Sequence, residues 1–126
     1  MTDIKDRTVR ETVQETGLSE HTLRYYEKIG LMEPVKRSNS GHRSYSQNDI
    51  DWIGFLKCLR STGMPIETMK IYVDLQRMGD DRFENRLRIM QSHKITVLEK
   101  IEELNRYLTT IDYKINYYTK ERDSIK

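Results

Sequence analysis

The sequence predicts a mainly α-helical chain in two parts, a small helical domain over residues 1–79 and a single long helix over residues 80–126. Three observations carry this reading. Residues 82–126 contain neither proline nor glycine, and Val97, Ile101, Leu104, Leu108, Ile111 and Ile115 recur in steps of four and three. That spacing is the heptad of a helix that pairs along one seam. Upstream, capping residues repeatedly precede apolar positions at helical spacing, and glycines close the resulting short helices. Between them Ser38-Asn39-Ser40-Gly41 has the turn chemistry of a β-hairpin, flanked by residues 33–37 and 42–45 in extended form.

Composition narrows the class. A chain of 126 residues supports one small domain and an appendage, not two full cores. Charged residues make up 33% of it, which favours an extended helical protein over a thick globule. Eight tyrosines against two phenylalanines call for half-buried rings with wet hydroxyls. The net charge of +2 does not decide for nucleic acid, but its distribution does: from Arg24 to Arg60 there are seven Lys/Arg against four Asp/Glu. A single cysteine, Cys58, excludes an internal disulfide and fits a reducing compartment. The opening MTDIKDRTVRET has no apolar core for a signal peptide, and no stretch has the apolar length of a membrane span. A cytoplasmic protein without membrane contact is expected.

Taken in order, residues 1–7 read as a frayed lead. Thr8 and Glu11 form a capping box for a first helix that buries Val9 and Val13 and stops at Gly17. Leu18 plugs the turn, and Ser19 caps a second helix with Leu23 and Tyr26 on its inner face. Gly30 supplies a left-handed end. Two short helices joined by Gly-Leu-Ser make either a plain αα-hairpin or a helix-turn-helix. The outer residues His21, Thr22, Arg24, Tyr25 and Lys28 tip the balance towards DNA. The hairpin that follows carries Lys36, Arg37, His42 and Arg43, with no carboxylate before Tyr45. A helix next to a basic, aromatic-edged hairpin is what a winged helix-turn-helix needs to clamp double-stranded DNA. Arg24 and Tyr25 are expected on phosphates, and His21 and Thr22 nearest the base edges. Arg37, His42, Arg43 and Arg60 are expected on flanking phosphates, with Tyr45 at the edge of the same surface.

Ser46 and Asp49 cap a third helix whose apolar stripe is Ile50, Trp52, Ile53, Leu56 and Leu59. Gly63 ends it. Arg60-Ser61-Thr62-Gly63 reads as a second wing or as an ordinary turn, and Pro65 opens a fourth helix. That helix is expected to bury Ile66, Met69, Ile71 or Tyr72, Val73 and Leu75, before Met78-Gly79-Asp80-Asp81 breaks it. The long helix after it would run roughly 60 Å. Its seam needs a partner, and a second copy is the long partner at hand, so Val97, Ile101, Leu104, Leu108, Ile111 and Ile115 are expected to hold a homodimer. Heptads alone do not set its direction. No nucleophile–base arrangement, phosphate loop or paired-carboxylate motif stands out, so an enzyme, a cofactor and a metal site are not expected. His93 reads as a solvated side chain.

The run Thr22-Leu23-Arg24-Tyr25-Tyr26-Glu27, then Ile29-Gly30-Leu31, Gly41-His42-Arg43-Ser44-Tyr45 and Asp49-Ile50, resembles the MerR family of transcriptional regulators. The resemblance is carried by motif through Val73 and by heptads alone beyond it. It implies an antiparallel coiled coil with a DNA-binding head at each end. It also implies a promoter site in an over-long spacer, bent and undertwisted so that RNA polymerase engages both elements. The cysteines that metal-sensing members place at the start of the long helix are replaced here by Gly79-Asp80-Asp81-Arg82. The segment from Asp49 to Cys58 is similar to the subgroup that answers reactive aldehydes and other electrophiles, in which a single cysteine at this place is thought to sense. Lys57 and Arg60 would favour the thiolate, and burial against Leu56 and Leu59 would oppose it. A buried core thiol is the other reading. Other classes are an architectural or adaptor coiled-coil protein without an inducer, a small enzyme, and an antitoxin-like partner protein.

Overall fold

The computed structural model describes residues 5–125, so the part of the expected lead formed by Met1 to Ile4 lies outside the described residues. Five α-helices follow in order: α1 (Val9–Thr16), α2 (Glu20–Lys28), α3 (Gln47–Ser61), α4 (Ile66–Arg77) and α5 (Phe83–Ser124), with a 3₁₀ turn at Asp80–Arg82 before α5. The chain divides into two compact units, residues 1–86 and 87–126. In the first, α3 packs against both α1 and α4, and α1 against α2.

Local chemistry accounts for the helix ends. Both capping boxes are present: Thr8 Oγ1 accepts from Glu11 N–H while Glu11 accepts from Thr8 N–H, and Ser46 and Asp49 repeat the exchange. Gly17 takes φ 77° at the end of α1, and Lys57 Nζ donates to Thr16 O there at 2.6 Å. Gly30 takes φ 86°, which lets Leu31 N–H return to Tyr26 O at 2.9 Å and closes α2.

The core is Leu23, Tyr26, Leu31, Met32, Val35, Tyr45, Ile50, Ile53, Leu56, Leu59, Met64, Met69 and Val73. Several expectations are corrected by it. On α1 the buried residues are Thr12 and Thr16, whereas Val9 and Val13 are half-buried. The threonines can face inward because their hydroxyls donate to Thr8 O (2.9 Å) and Thr12 O (2.7 Å), so no polar group is stranded. On α4, Ile71 is exposed and Tyr72 half-buried. Trp52 is half-buried, its indole N–H donating to Leu31 O at 2.8 Å. Arg7 is not frayed: its backbone exchanges two hydrogen bonds with Tyr45, at 2.7 and 2.8 Å, and its guanidinium forks onto Glu15.

The hairpin is present as a loop rather than as strands. Isolated antiparallel bridges join Arg37 with Arg43 and Arg7 with Tyr45, and among the described residues no continuous strand forms. Pro34 withholds one donor, and Val35 gives its N–H to a side chain instead of a ladder.

Burial pushes the phenols of Tyr26 and Tyr45 above their ordinary value of 10.0. In the unfolded chain they release protons near pH 10 while the fold still holds them, so stability falls as pH rises through and above that value. Denaturant melts are expected to be insensitive to both groups below pH 9. Tyr26→Phe and Tyr45→Phe should each flatten the alkaline slope, and an unchanged slope in both would remove burial as its cause.

Candidate nucleic-acid interface

His21, Arg24, Tyr25 and Lys28 recur on one outward stripe of α2, all four exposed, with Tyr25 at 43%. The opposite stripe, Leu23 and Tyr26, is buried, and that is what turns the cationic one to solvent. Thr22 stands half-buried in the first turn, its hydroxyl accepting from Ser19 Oγ at 3.0 Å. Arg24 pairs with Glu20 one turn earlier, but both side chains are at least half exposed. A pair in that setting is worth little and yields readily to a phosphate.

The wing is tied to this helix by one carboxylate. Glu27 Oε2 accepts the N–H of Val35 on the incoming arm at 3.1 Å, and Glu27 Oε1 pairs with Arg43 Nε on the outgoing arm at 3.0 Å. Both side chains of the ion pair are about four-fifths buried, at 17% and 21% exposure. Glu27 thus sets the distance between the α2 stripe and the loop. The loop tip is closed locally: Ser38 N–H donates to His42 O at 2.7 Å, and Arg37 Nη1 donates to Gly41 O at 2.9 Å. Lys36, Arg37 and His42 are exposed on it. A cleft of about 360 Å³ beside the loop is lined by Asp6, Arg7, Thr8, Val9, Arg10, Ser38, Ser40, His42, Arg43 and Ser44, and two of its arginines, Arg7 and Arg43, are already paired with Glu15 and Glu27.

Among the expected contact residues, Tyr45 is corrected. Its ring is only 1% exposed and belongs to the core; no duplex can reach it. Arg43 is a wing anchor first. Arg60 is exposed and donates to Met64 O at 3.3 Å, bracing the α3–α4 turn. Cys58 is exposed on α3, which excludes the buried core thiol in the single chain. The two cations expected beside it are otherwise engaged, Lys57 at Thr16 O and Arg60 at Met64 O. Among the described residues no group of three His, Cys, Asp or Glu side chains lies together as a metal set, and no helix is long and apolar enough to cross a membrane.

Glu27 and Arg7 are the structural supports that reasoning from sequence passed over. Glu27 lay inside the quoted motif, and a carboxylate on the half-buried side of a basic helix was the available signal.

In α5, Ile101, Leu104, Leu108, Ile111 and Ile115 are exposed and Val97 is half-buried. None of its residues is buried in the single chain.

Residues 7–76 match the MerR HTH family of regulatory proteins. The chain is 35% identical over 115 residues to an uncharacterised HTH-type transcriptional regulator of Haemophilus influenzae, covering 91% of this chain and 85% of that one. It is 41% identical over 91 residues to the HTH-type transcriptional regulator AdhR of Bacillus subtilis, covering 72% of this chain and 65% of AdhR. Among solved structures it is similar to that of HiNmlR, a regulator lacking the sensor domain and bound to promoter DNA. The TM-score is 0.86 at 34% identity, over 90% of this chain and 86% of that one.

Proposed function

This chain belongs to the MerR HTH family of regulatory proteins, and from that premise we propose that it binds promoter DNA as a homodimer and activates transcription by distorting the promoter. Reactive aldehydes or related electrophiles, acting at Cys58, are its proposed signal. The observation that carries the reading is the exposed His21–Arg24–Tyr25–Lys28 stripe held beside a basic loop by Glu27. The stripe enters the major groove, and Arg37 and His42, exposed on the loop, meet flanking phosphates. The promoter-bound structure of a sensor-less relative supports the same use of the fold. The second copy brings a second head to the same duplex, and phosphate contacts from both offset the deformation energy so that polymerase can engage both promoter elements. The cytoplasm is the proposed site of action.

Each phosphate neutralised by the protein adds about 0.9 to the slope of log affinity against log salt. Arg24→Ala is therefore expected to weaken binding on all sequences and to reduce that slope by about 1. Filter binding at four salt concentrations measures it. An unchanged slope would take Arg24 off the phosphates, and equal affinity for operator and random DNA at every salt concentration would favour an architectural protein.

Cys58 is the chain's single thiol and is open to solvent. Cys58→Ser keeps the size of the side chain and removes the nucleophile. The variant should bind its operator as the parent does and lose the transcriptional response to formaldehyde or diamide. A full response from a folded, operator-binding variant would eliminate the thiol as sensor.

A further inference from the structure

A cavity of about 230 Å³ lies in the first unit, between the residues that follow α2, the first turns of α3 and the last turn of α4. We propose that it binds a small amine carrying one aromatic ring, and that its occupancy biases DNA binding through the end of α2. The site stands apart from the DNA reading, whereas the coupling rests on it.

The apolar part of the wall comes from Leu31, Met32 and Val73, all buried, and from Trp52. The indole N–H of Trp52 donates to Leu31 O at 2.8 Å. Its ring lies against Phe55 with centroids 5.5 Å apart, and Phe55 lies against Tyr72 at 5.7 Å. Swinging in to fill the cavity would cost Trp52 both contacts, so the space is preformed. Drug-sized ligands need roughly 300–1,000 Å³. The smaller volume here limits the occupant to a molecule of about one ring.

The rim selects the charge of that molecule. Its ionisable residues are Glu33, Asp49 and Arg77, two carboxylates against one guanidinium. Arg77 is already balanced, with Nε on Glu33 Oε1 at 3.0 Å and Nη1 3.9 Å from Asp74 Oδ1. Asp49 is half-buried, and its Oδ2 accepts from Ser46 N–H at 2.9 Å. Its Oδ1 has no hydrogen-bond partner among the described residues. Arg77 closes the last turn of α4, whose carbonyl end also favours a cation. The N-terminus of α3 favours the opposite sign, but the Ser46–Asp49 capping box already answers part of it. An ammonium on Asp49 Oδ1, with its ring on the apolar wall beside the indole, uses both halves of the site. An aromatic carboxylate would have to displace Glu33 from Arg77 and lie near Asp49.

Leu31 and Met32 come directly after Gly30, the left-handed end of α2. A ligand touching them together with Trp52 and Asp49 bridges the end of α2 to α3. An effector that prefers one arrangement of this joint shifts the affinity of α2 for its operator.

Trp52 is the chain's single tryptophan, so emission excited where tyrosine does not absorb reports on this cavity. Titrating the full chain with phenethylamine should change that emission saturably, at a millimolar or lower dissociation constant. Saturation-transfer NMR should show its ring in contact with the protein. Phenethyl alcohol, the neutral isostere, should bind at least about tenfold more weakly, for want of a charge-assisted hydrogen bond. Hydrocinnamate should not compete. No saturable binding by either method would overturn the site. Equal binding of the alcohol, or tighter binding of hydrocinnamate, would overturn the cation assignment.

Asp49→Asn keeps an oxygen for Ser46 N–H and should lose affinity for the amine by a similar factor. Glu33→Gln is the check that spares the cap, because Glu33 is 75% exposed and the fold does not depend on it. It leaves Arg77 unbalanced, so it should weaken the amine and admit hydrocinnamate. Unchanged affinities in both variants would overturn the assigned rim. Saturating phenethylamine should also move the midpoint of operator binding by about fivefold or more. An unmoved midpoint would overturn the coupling alone, and a ligand-free chain that selects no DNA would instead overturn the functional reading beneath it.

Discussion

Replacing Ile101 and Leu108 together by lysine is expected to turn the protein into monomers that no longer bind a two-fold operator. Both residues stand in the middle of the seam, and in the single chain they are 49% and 52% exposed. Burying an aliphatic side chain stabilises by about 1.5–3 kcal/mol, and the two replacements remove that gain at both sites in each copy. Four buried ammonium groups would repel one another besides. The dimer dissociation constant should rise by at least roughly four decades, at 1.4 kcal/mol per decade. The first unit holds its core within residues 1–86, so helical content should fall only where α5 frays. Sedimentation velocity reads the outcome, and an intact dimer would put the interface elsewhere than α5.

Tyr45→Ala should be the most damaging single change in the first unit. The ring is 1% exposed, and its backbone closes the bridge to Arg7. Removing a buried aromatic ring typically costs about 3–5 kcal/mol, comparable with the whole stability of many small domains. Tyr45→Phe keeps the ring and should fold and bind operator as the parent does. If instead Tyr45→Phe folded normally and bound DNA tenfold more weakly, its hydroxyl would be a contact and its assignment to the core alone would be wrong.

Much of this was legible before the fold was known, and the exceptions share a cause. The Thr8 and Ser46 boxes, the Gly17 and Gly30 stops and the heptads of α5 depend on neighbours in sequence, so local spacing reveals them. Tyr45 was misread because an aromatic after a basic hairpin looks like part of its outer face. Its orientation is decided by Arg7, far upstream. Thr12 and Thr16 are buried against expectation because their hydroxyls are satisfied within the helix, which hydropathy does not register. Glu27 becomes a clamp only when the turn at Ser38 to Gly41 returns Arg43 to it. In the same way Lys57 belongs to the end of α1 rather than to the thiol next to it in sequence. Long-range polar partners are the part of the site that periodicity cannot supply.

The central claim is that two identical heads read a promoter. Hydroxyl-radical footprinting on genomic fragments selected by the purified protein tests it most directly. The account predicts two protected half-sites related by a dyad, lying between promoter elements, with the central base pairs hyper-reactive where the duplex is distorted. Uniform protection with no preferred sequence, or a single unpaired half-site outside the spacer, would contradict it.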